Sequence, residues 1–444
     1  MASVGGARET GTAVLECLEE LPGGRELQAA ASTRSGEVAL IGGAVRDLLL
    51  GRTPRELDVV VDADAAGFAR ELAAQLHAQP GDGRREHDGR SEPFETTFHE
   101  RFRTALVRWP EGQVDVATRR SERYPTPGAL PEVGEGTPQS DVQRRDFTIN
   151  TLSVVLSGPA RGTLDGAPEA QADLDAGVLR VLHEQSFRDD PTRLLRLARY
   201  RARLGFRVEA HTAELAAEAL AAGALETVSH ARIGAELRLA LAEPDPVAAL
   251  ESLQELGVLA ALDPSLTLDP SLARAALAAL PVDPDAWPEV LLLASLLLPG
   301  HSYDTTNYET RLRVLLDGFE LPAAERERTV HSATLAPRLA QRLRDAHGSA
   351  SRIYEVAHGE PLEAVALAAA LAEAESQPDA ARAARRWLSD LRRVQLEIGG
   401  EDLLAAGIAA GPEVGLRLRQ ALLRKLDGEL GGGREAELCA ALEG

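Results

Sequence analysis

The run GGAVRDLLLG, Gly42 to Gly51, follows four apolar residues, Val38–Ile41, and passes at once into helical spacing. Read together, these residues form a strand, a paired-glycine turn and an amphipathic helix. Two glycines let the backbone approach a phosphate closely, and a new helix offers free N–H groups and a positive dipole end to an anion. Arg46 falls on the first turn, where a guanidinium can add a charge-assisted contact. The plainer reading is a glycine-assisted tight turn with Arg46 and Asp47 as solvated first-turn residues. The turn alone does not separate the two.

Working outward, the residues up to about Ala160 alternate between helical and strand patterns. Leu57–Val61 is a β-branched strand and Ala63–Leu76 an Ala-rich helix. Strands are expected at Thr104–Trp109, at Gln113–Ala117 and near Thr151–Leu156. A polar Gly/Arg-rich segment, Gln79–Glu92, and a Pro/Gly-punctuated loop, Arg119 to Gln139, separate them. His87-Asp88 has no companion histidines at ligand spacing, so no metal phosphohydrolase site is expected there.

Acidic residues sit on these strands. Glu56 and Asp58 are two apart, the spacing that puts strand side chains on one face, and Asp115 lies on a later strand. Three neighbouring carboxylates are costly unless cations neutralise them. Mg²⁺ is the natural choice, because it favours carboxylate oxygens together with substrate phosphates. Two such ions can activate a 3′-hydroxyl and stabilise departing pyrophosphate. An isolated E-x-D would read instead as the solvated face of an edge strand. Its place after a phosphate-type turn favours chemistry.

From Asp190 to the end, Ala, Leu, Glu and Arg dominate at helical spacing. Pro244, Pro264, Pro281, Pro299, Pro322 and Pro361 break the pattern, giving about ten helices with no fixed repeat. The fold class is therefore an α/β head followed by a large all-α region. The 444 residues carry 44% hydrophobic and 26% charged side chains, ordinary for a globular chain. No apolar run is long enough to span a bilayer. The acidic opening residues lack a basic-then-apolar leader, and two distant cysteines, Cys17 and Cys439, make neither a disulfide framework nor a zinc site. A cytoplasmic location without a membrane partner follows as the expectation. The net charge of −21 argues against a phosphate partner at long range but does not constrain the field of a cleft. The cations are mostly arginine, whose fork suits phosphates and base edges, and seven of them crowd Arg188 to Arg207.

The chain resembles the tRNA nucleotidyltransferase and poly(A) polymerase family, of the bacterial class II CCA-adding type. The head of that family belongs to the polymerase-β nucleotidyltransferase superfamily, which the resemblance implies for this chain. The resemblance rests on GGAVRDLLLGR at Gly42–Arg52, E-x-D at Glu56 and Asp58, and VDVATRR at Val114–Arg120. It continues in order through YPTPGALP at Tyr124–Pro131, RRDFTIN at Arg144–Asn150, DDPTRLLRLARYRARLGF at Asp189–Phe206 and SHARIGAEL at Ser229–Leu237. It implies a helical extension over 1–33, a catalytic head over 34–160, a base-recognising helical neck over 161–265 and a tRNA-binding body and tail over 266–444. Catalytic carboxylates are implied at Glu56, Asp58 and Asp115, the first two as ligands of Mg²⁺. Nucleotide contacts are implied at Gly42, Gly43, Arg46, Asp47, Arg145, Asp190, Arg193, Arg196 and Arg199. Two departures stand out: Glu56 replaces the usual first aspartate, and Asp189-Asp190 replaces the usual Glu-Asp.

The resemblance makes the substrates CTP and ATP and the partner the acceptor arm and 3′ end of tRNA, with no DNA. Cytosine and adenine each pair an exocyclic amine donor with a ring-nitrogen acceptor, whereas uracil and guanine present the reverse. Asp190 as acceptor and Arg193 as donor therefore suit C and A without a template. Asp190 also reads as the N-cap of a helix whose first residue is Pro191. Arg145 and Asp146 read either as nucleotide contacts or as an ion pair tying head to neck, and Asn150 either as a site residue or as a turn cap. Arg232 and Glu236 have the spacing of an intrahelical pair. The rivals are a CC-only or A-only enzyme, a poly(A) polymerase, a small-molecule nucleotidyltransferase and an inactive RNA-binding protein. By family analogy the intact Arg119–Gln139 loop leans away from CC-only addition.

Overall fold

The computed structural model describes residues 4–78, 95–99, 103–298 and 305–443. The whole Gln79–Glu92 segment, His87-Asp88 included, and Pro299 lie outside them. The chain divides into two compact units, Met1–Val228 and Ser229–Gly444.

The first unit opens with helices α1 (Val4–Glu19) and α2 (Gly24–Ser32), then strand β1 (Val38–Ile41) and helix α3 (Gly43–Leu49). Strand β2 (Leu57–Val61) and helix α4 (Ala65–Ala78) follow, then β3 (Glu95–His99), β4 (Thr104–Trp109) and β5 (Gly112–Thr118). A mixed seven-stranded sheet has the order β3-β4-β5-β2-β1-β8-β9, closed by β8 (Ser153–Val155) and β9 (Leu164–Asp165). Its β2–β5 neighbours run parallel and the other neighbours antiparallel. The burial of β2 and β1 on both faces fits their unbroken β-branched and aliphatic composition. Phe68 and Leu72 on α4 are fully buried.

The region expected as a loop, Arg119 to Gln139, contains an antiparallel pair, β6 (Arg120–Arg123) and β7 (Glu132–Glu135). Its residues are charged and mostly exposed, so no apolar alternation announces them. A capping box between Thr137 and Ser140 starts α5 (Pro138–Gln143). Helix α6 (Ala170–Ala176) leads into β10 (Val178–Leu179), which pairs in parallel with β11 (Arg207–Val208). Between these strands lie α7 (Ser186–Asp189) and α8 (Thr192–Leu204), and α9 (Ala210–Ala221) follows β11.

The second unit is helical among its described residues: α10 (His230–Leu241), α11 (Pro246–Glu255), α12 (Val258–Leu262), α13 (Pro270–Ala279) and α14 (Pro288–Leu296). Then come α15 (Thr305–Gly318), α16 (Ala323–Ala346), α17 (Ala350–Ala357), α18 (Leu362–Ala374) and α19 (Pro378–Ser389). A small cluster around Leu403, Ala421 and Ala441 holds α20 (Gly400–Ala405), α21 (Pro412–Leu426) and α22 (Arg434–Glu443) together. The run α8 to α22 exceeds the ten or so helices expected beyond Asp190. Breaks come from glycine as well as proline: Gly257, at φ +78°, separates α11 from α12 where the sequence carries no proline. Asp-Pro pairs start other helices, Asp245 capping the Ala248 N–H and Asp269 those of Ser271 and Leu272. No described helix is long and apolar enough to cross a membrane.

Candidate active site

Strands β2 and β5 run parallel with Asp58 directly opposite Asp115, so the two carboxylates share one face of the sheet. Glu56 lies in a bend just before β2, not on the strand as the i, i+2 argument supposes, and is exposed. It still reaches the cluster: Gln113 Nε2 donates to Glu56 Oε2 at 3.5 Å. The glycine turn adjoins it. Gly42 has φ +69° and ψ −131°, a conformation open to glycine and strained for other residues. A Cβ on Gly42 would stand 3.1 Å from Arg145 Nη1 and 3.9 Å from Asp58 Oδ2. The turn, the strand carboxylate and one arginine therefore meet at a single point.

The electrostatics record the crowding. Burial first, then the charges of Glu56 and Asp115, push the Asp58 carboxyl up to about 7, against the opposing pull of Arg145 and Arg46. Burial and Glu56 likewise raise Asp115, opposed by Arg108 and His99. Asp146, a few residues from the turn in space, behaves oppositely. Burial alone would raise it, but Arg196, Asn150 and Arg193 outweigh that and hold it at about 2.

Arg46 and Asp47 are buried, both 2% exposed, so they are not the solvated first-turn pair of the plainer reading. Arg46 Nε donates to Asp47 Oδ1 at 2.9 Å and Nη1 to Asn150 Oδ1 at 2.5 Å. Asn150 Nδ2 donates to Asp146 Oδ1 at 2.9 Å, and Asp146 Oδ2 accepts from Arg196 Nε at 2.8 Å. Asp47 Oδ2 accepts from Arg203 Nη2 at 2.9 Å. Asp146 therefore pairs with Arg196, not with its neighbour Arg145, which donates to Asp141 Oδ2 at 3.0 Å and to the Asn150 carbonyl at 3.1 Å. Asn150 is a link in this chain of contacts and not simply a turn cap. Sequence reading missed Asp141, although it precedes Arg144 and Arg145 by three and four residues on a helix, the spacing of two ion pairs.

On α8 the helix begins at Thr192 with Pro191 at the cap position, one residue later than expected. Asp190 still caps it, Oδ1 accepting from the Thr192 N–H at 3.1 Å and its hydroxyl at 2.6 Å. Arg193 is buried, donating to Ser186 Oγ at 2.7 Å and the Arg144 carbonyl at 2.6 Å, and Arg199 is buried on the same helix. The tip of the Arg119–Gln139 region touches the residues before Asp190, the Gly128 N–H lying 3.2 Å from both the Arg188 and Asp189 carbonyls.

The chain that carries this arrangement resembles known proteins. The description Poly A polymerase head domain fits residues 38–180, and probable RNA and SrmB-binding site of polymerase A fits residues 205–269. The A-adding tRNA nucleotidyltransferase of Geobacter sulfurreducens is 33% identical over 404 residues, 88% of this chain and 43% of that protein. The chain belongs to the tRNA nucleotidyltransferase and poly(A) polymerase family. The CC-adding tRNA nucleotidyltransferase of Deinococcus radiodurans is 39% identical over 277 residues, 60% of this chain and 66% of that one. Among solved structures, the Thermotoga maritima CCA-adding enzyme complexed with tRNA superposes with TM-score 0.72 at 26% identity, covering 97% of this chain and 98% of that one. The chain spans 43%, 49% and 25% of the length of three curated family members, all named A-adding tRNA nucleotidyltransferases.

Proposed function

We propose that the chain is a template-independent nucleotidyltransferase that adds C and A to the 3′ end of tRNA. The reaction is attack of the RNA 3′-hydroxyl on the α-phosphate of CTP or ATP, with release of pyrophosphate. The observation that carries this reading is Asp58 in register with Asp115 beside the Gly42 turn. Among the described residues no group of three or more His, Cys, Asp or Glu side chains is set to hold a metal ion. Mg²⁺ keeps waters and substrate phosphates and is often bound through one or two protein carboxylates, and Asp58 and Asp115 are the pair in register. The elevated Asp58 carboxyl marks a site short of positive charge. Asp58 and Asp115, with Glu56 at the strand mouth, would hold it. Two Mg²⁺ held there would supply activation of the 3′-hydroxyl and neutralisation of the leaving pyrophosphate.

The residues around the metal position bind and orient. The Gly42–Gly43 turn faces the triphosphate, the Gly42 N–H itself donating to the Leu152 carbonyl at 2.8 Å, and Arg145 adds a cation beside the turn. Arg46 and Asp47 support this turn from beneath. Asp190 and Arg193, with Arg196 and Arg199 behind them, read the base edge. Residues 1–33 serve as an extension, 34–160 as the head, 161–265 as the neck and 266–444 as the body and tail that grip the acceptor arm. The setting is the cytoplasm.

A partial enzyme adding only A or only CC is the second reading, favoured by relatives of both names. The test incubates purified protein with tRNA ending in the discriminator base, in -C or in -CC, with each NTP separately. Full CCA addition gives CMP incorporation on the first two and AMP on the third. Long A tails on unrelated RNA would overturn the tRNA assignment, and tRNA binding without incorporation would overturn catalysis.

A further inference from the structure

Tyr200 lies on α8 and touches two arginines carried by different helices, Arg46 on α3 and Arg196 on α8. Arg46, from the helix after the glycine turn, stands over its ring with Cζ 5.2 Å from the centroid. Arg196, one turn earlier on α8, stands 5.6 Å from the same centroid, and its Nη2 donates to the Tyr200 hydroxyl at 3.1 Å. Phe147 meets the ring edge-on at 5.8 Å. With the Asp146–Asn150 link, the contacts close into a circuit running from Tyr200 through Arg46, Asn150, Asp146 and Arg196 back to Tyr200. Three separate stretches of chain contribute to it. Two like charges near one ring repel each other unless each has its own anion, and here Asp47 and Asp146 provide them.

We infer that Tyr200 is a positioning residue for nucleotide binding, setting the turn-side arginine and the base-side arginine at a fixed distance from one another. This rests on the nucleotidyltransferase reading above. The physical reason is geometric. The Arg46 Nη2 lies 3.5 Å from where a Gly43 Cβ would be, so displacing Arg46 moves positive charge away from the turn. The ring is the side chain in contact with both guanidinium groups, and its face attracts each through the aromatic quadrupole. Loss of the ring frees the two arginines to move independently, which weakens nucleotide binding whichever base is bound. The chemical step, at the carboxylates, is left alone.

The test compares wild type with Tyr200→Phe and Tyr200→Leu. Initial rates are measured for CMP addition to tRNA lacking its CCA end and for AMP addition to tRNA ending in -CC, across a range of CTP or ATP. Equilibrium dialysis of labelled ATP and CTP without RNA gives binding directly, and thermal melts confirm folding. For Tyr200→Leu, KM and the dialysis Kd are expected to rise about tenfold for both nucleotides with kcat little changed. Tyr200→Phe, which keeps the ring, is expected within about twofold of wild type. Unchanged Kd in the leucine variant, a loss confined to kcat, or a phenylalanine variant as weak as leucine would each overturn the inference. If the leucine variant melts early, Tyr200→Met takes its place with the same expectation. A wild type that binds nucleotide but incorporates none sinks the enzyme reading, while the dialysis series still decides the role of Tyr200. A wild type that binds neither nucleotide sinks both.

Discussion

The two units bury polar groups in different ways. In Met1–Val228 the interior holds Arg46, Asp47, Asp141, Asp146, Asp173, Arg193 and Arg199, and side-chain contacts among several of them and their neighbours join α3, α5 and α8. In Ser229–Gly444 the buried charges among the described residues are Glu243, Glu363 and Glu437, and the core is otherwise aliphatic, with α18 supplying a run of buried Ala, Val and Leu. Taking a charge out of water is expensive even when it is paired, and an apolar replacement of similar shape is often no less stable. Stability alone therefore gives little reason to bury seven charges in one unit. On the proposed reading that expense falls where substrate charge must be met, and the second unit carries less of it.

The largest expected effect breaks the first unit's activity without breaking its fold. Asp58→Ala or Asp115→Ala should lower nucleotide incorporation by about a thousandfold or more, since metal-ion catalysis supplies several kcal/mol of transition-state stabilisation. Stability should move the other way. The folded Asp58 carboxyl holds its proton up to about 7, well above its ordinary value of 3.8. Between those values the native state binds a proton that the unfolded chain has released, so metal-free stability falls as pH rises through this window. Asp58→Asn removes that penalty. In EDTA at pH 8 the variant should therefore melt above wild type, by an amount equivalent to ~4 kcal/mol, and the gap should close as pH drops toward 4. A wild type that melts equally or higher at pH 8 would show that the carboxylates are not crowded. Added Mg²⁺ should raise the wild-type melt and leave the variant's unchanged.

Glu363 sharpens the comparison from the other side. It is fully buried, accepting the Trp287 N–H at 2.6 Å and Arg328 Nε at 2.7 Å, while the Arg328 guanidinium stacks on the Trp287 ring at 4.6 Å. This contact ties α14, α16 and α18 and involves none of the residues proposed to bind nucleotide. Glu363→Ala should cost ~3 kcal/mol in urea unfolding, because it strands a buried N–H and an arginine that remains mostly covered. Nucleotide Kd in dialysis should stay at the wild-type value. A changed Kd with intact stability would invert the contrast between scaffold and site.

What the sequence reveals, and where it stops, follows the same division. Leu57–Val61 and Thr104–Trp109 are legible to the residue because their composition is that of buried strands. The glycine turn is legible because positive φ at Gly42 has few other solutions, and Asp58 and Asp115 stand out as acids on apolar strands, whereas Glu56 falls in the bend before β2 and not on a strand. The register that sets Asp58 opposite Asp115 is a pairing across more than fifty residues, and no local pattern encodes it. Tyr200 is visible as i+4 to Arg196, but its contact with Arg46 exists only once α3 and α8 are packed together. Asp146 pairs with distant Arg196 rather than adjacent Arg145 for the same reason. Buried charges are the least legible feature because composition shows charge and not the depth at which it lies.

Asp190 carries the smallest expected change in stability and separates architecture from recognition at one residue. Its carboxylate caps α8 through the Thr192 N–H. Removing such a cap costs ~1 kcal/mol, and asparagine caps about as well as aspartate. Asp190→Ala should therefore lower stability by that amount, and Asp190→Asn should leave it unchanged. Recognition divides the two variants differently. A carboxylate can only accept, so it favours the amine edges of C and A, whereas an asparagine amide also donates and accommodates the carbonyl edges of U and G. The Asn variant should keep the wild-type melt and incorporate UMP or GMP at a raised fraction of the CMP or AMP rate. Retained C and A selectivity in a normally folded Asn variant would make Asp190 a helix cap and nothing more, and would move base reading to Arg193 alone.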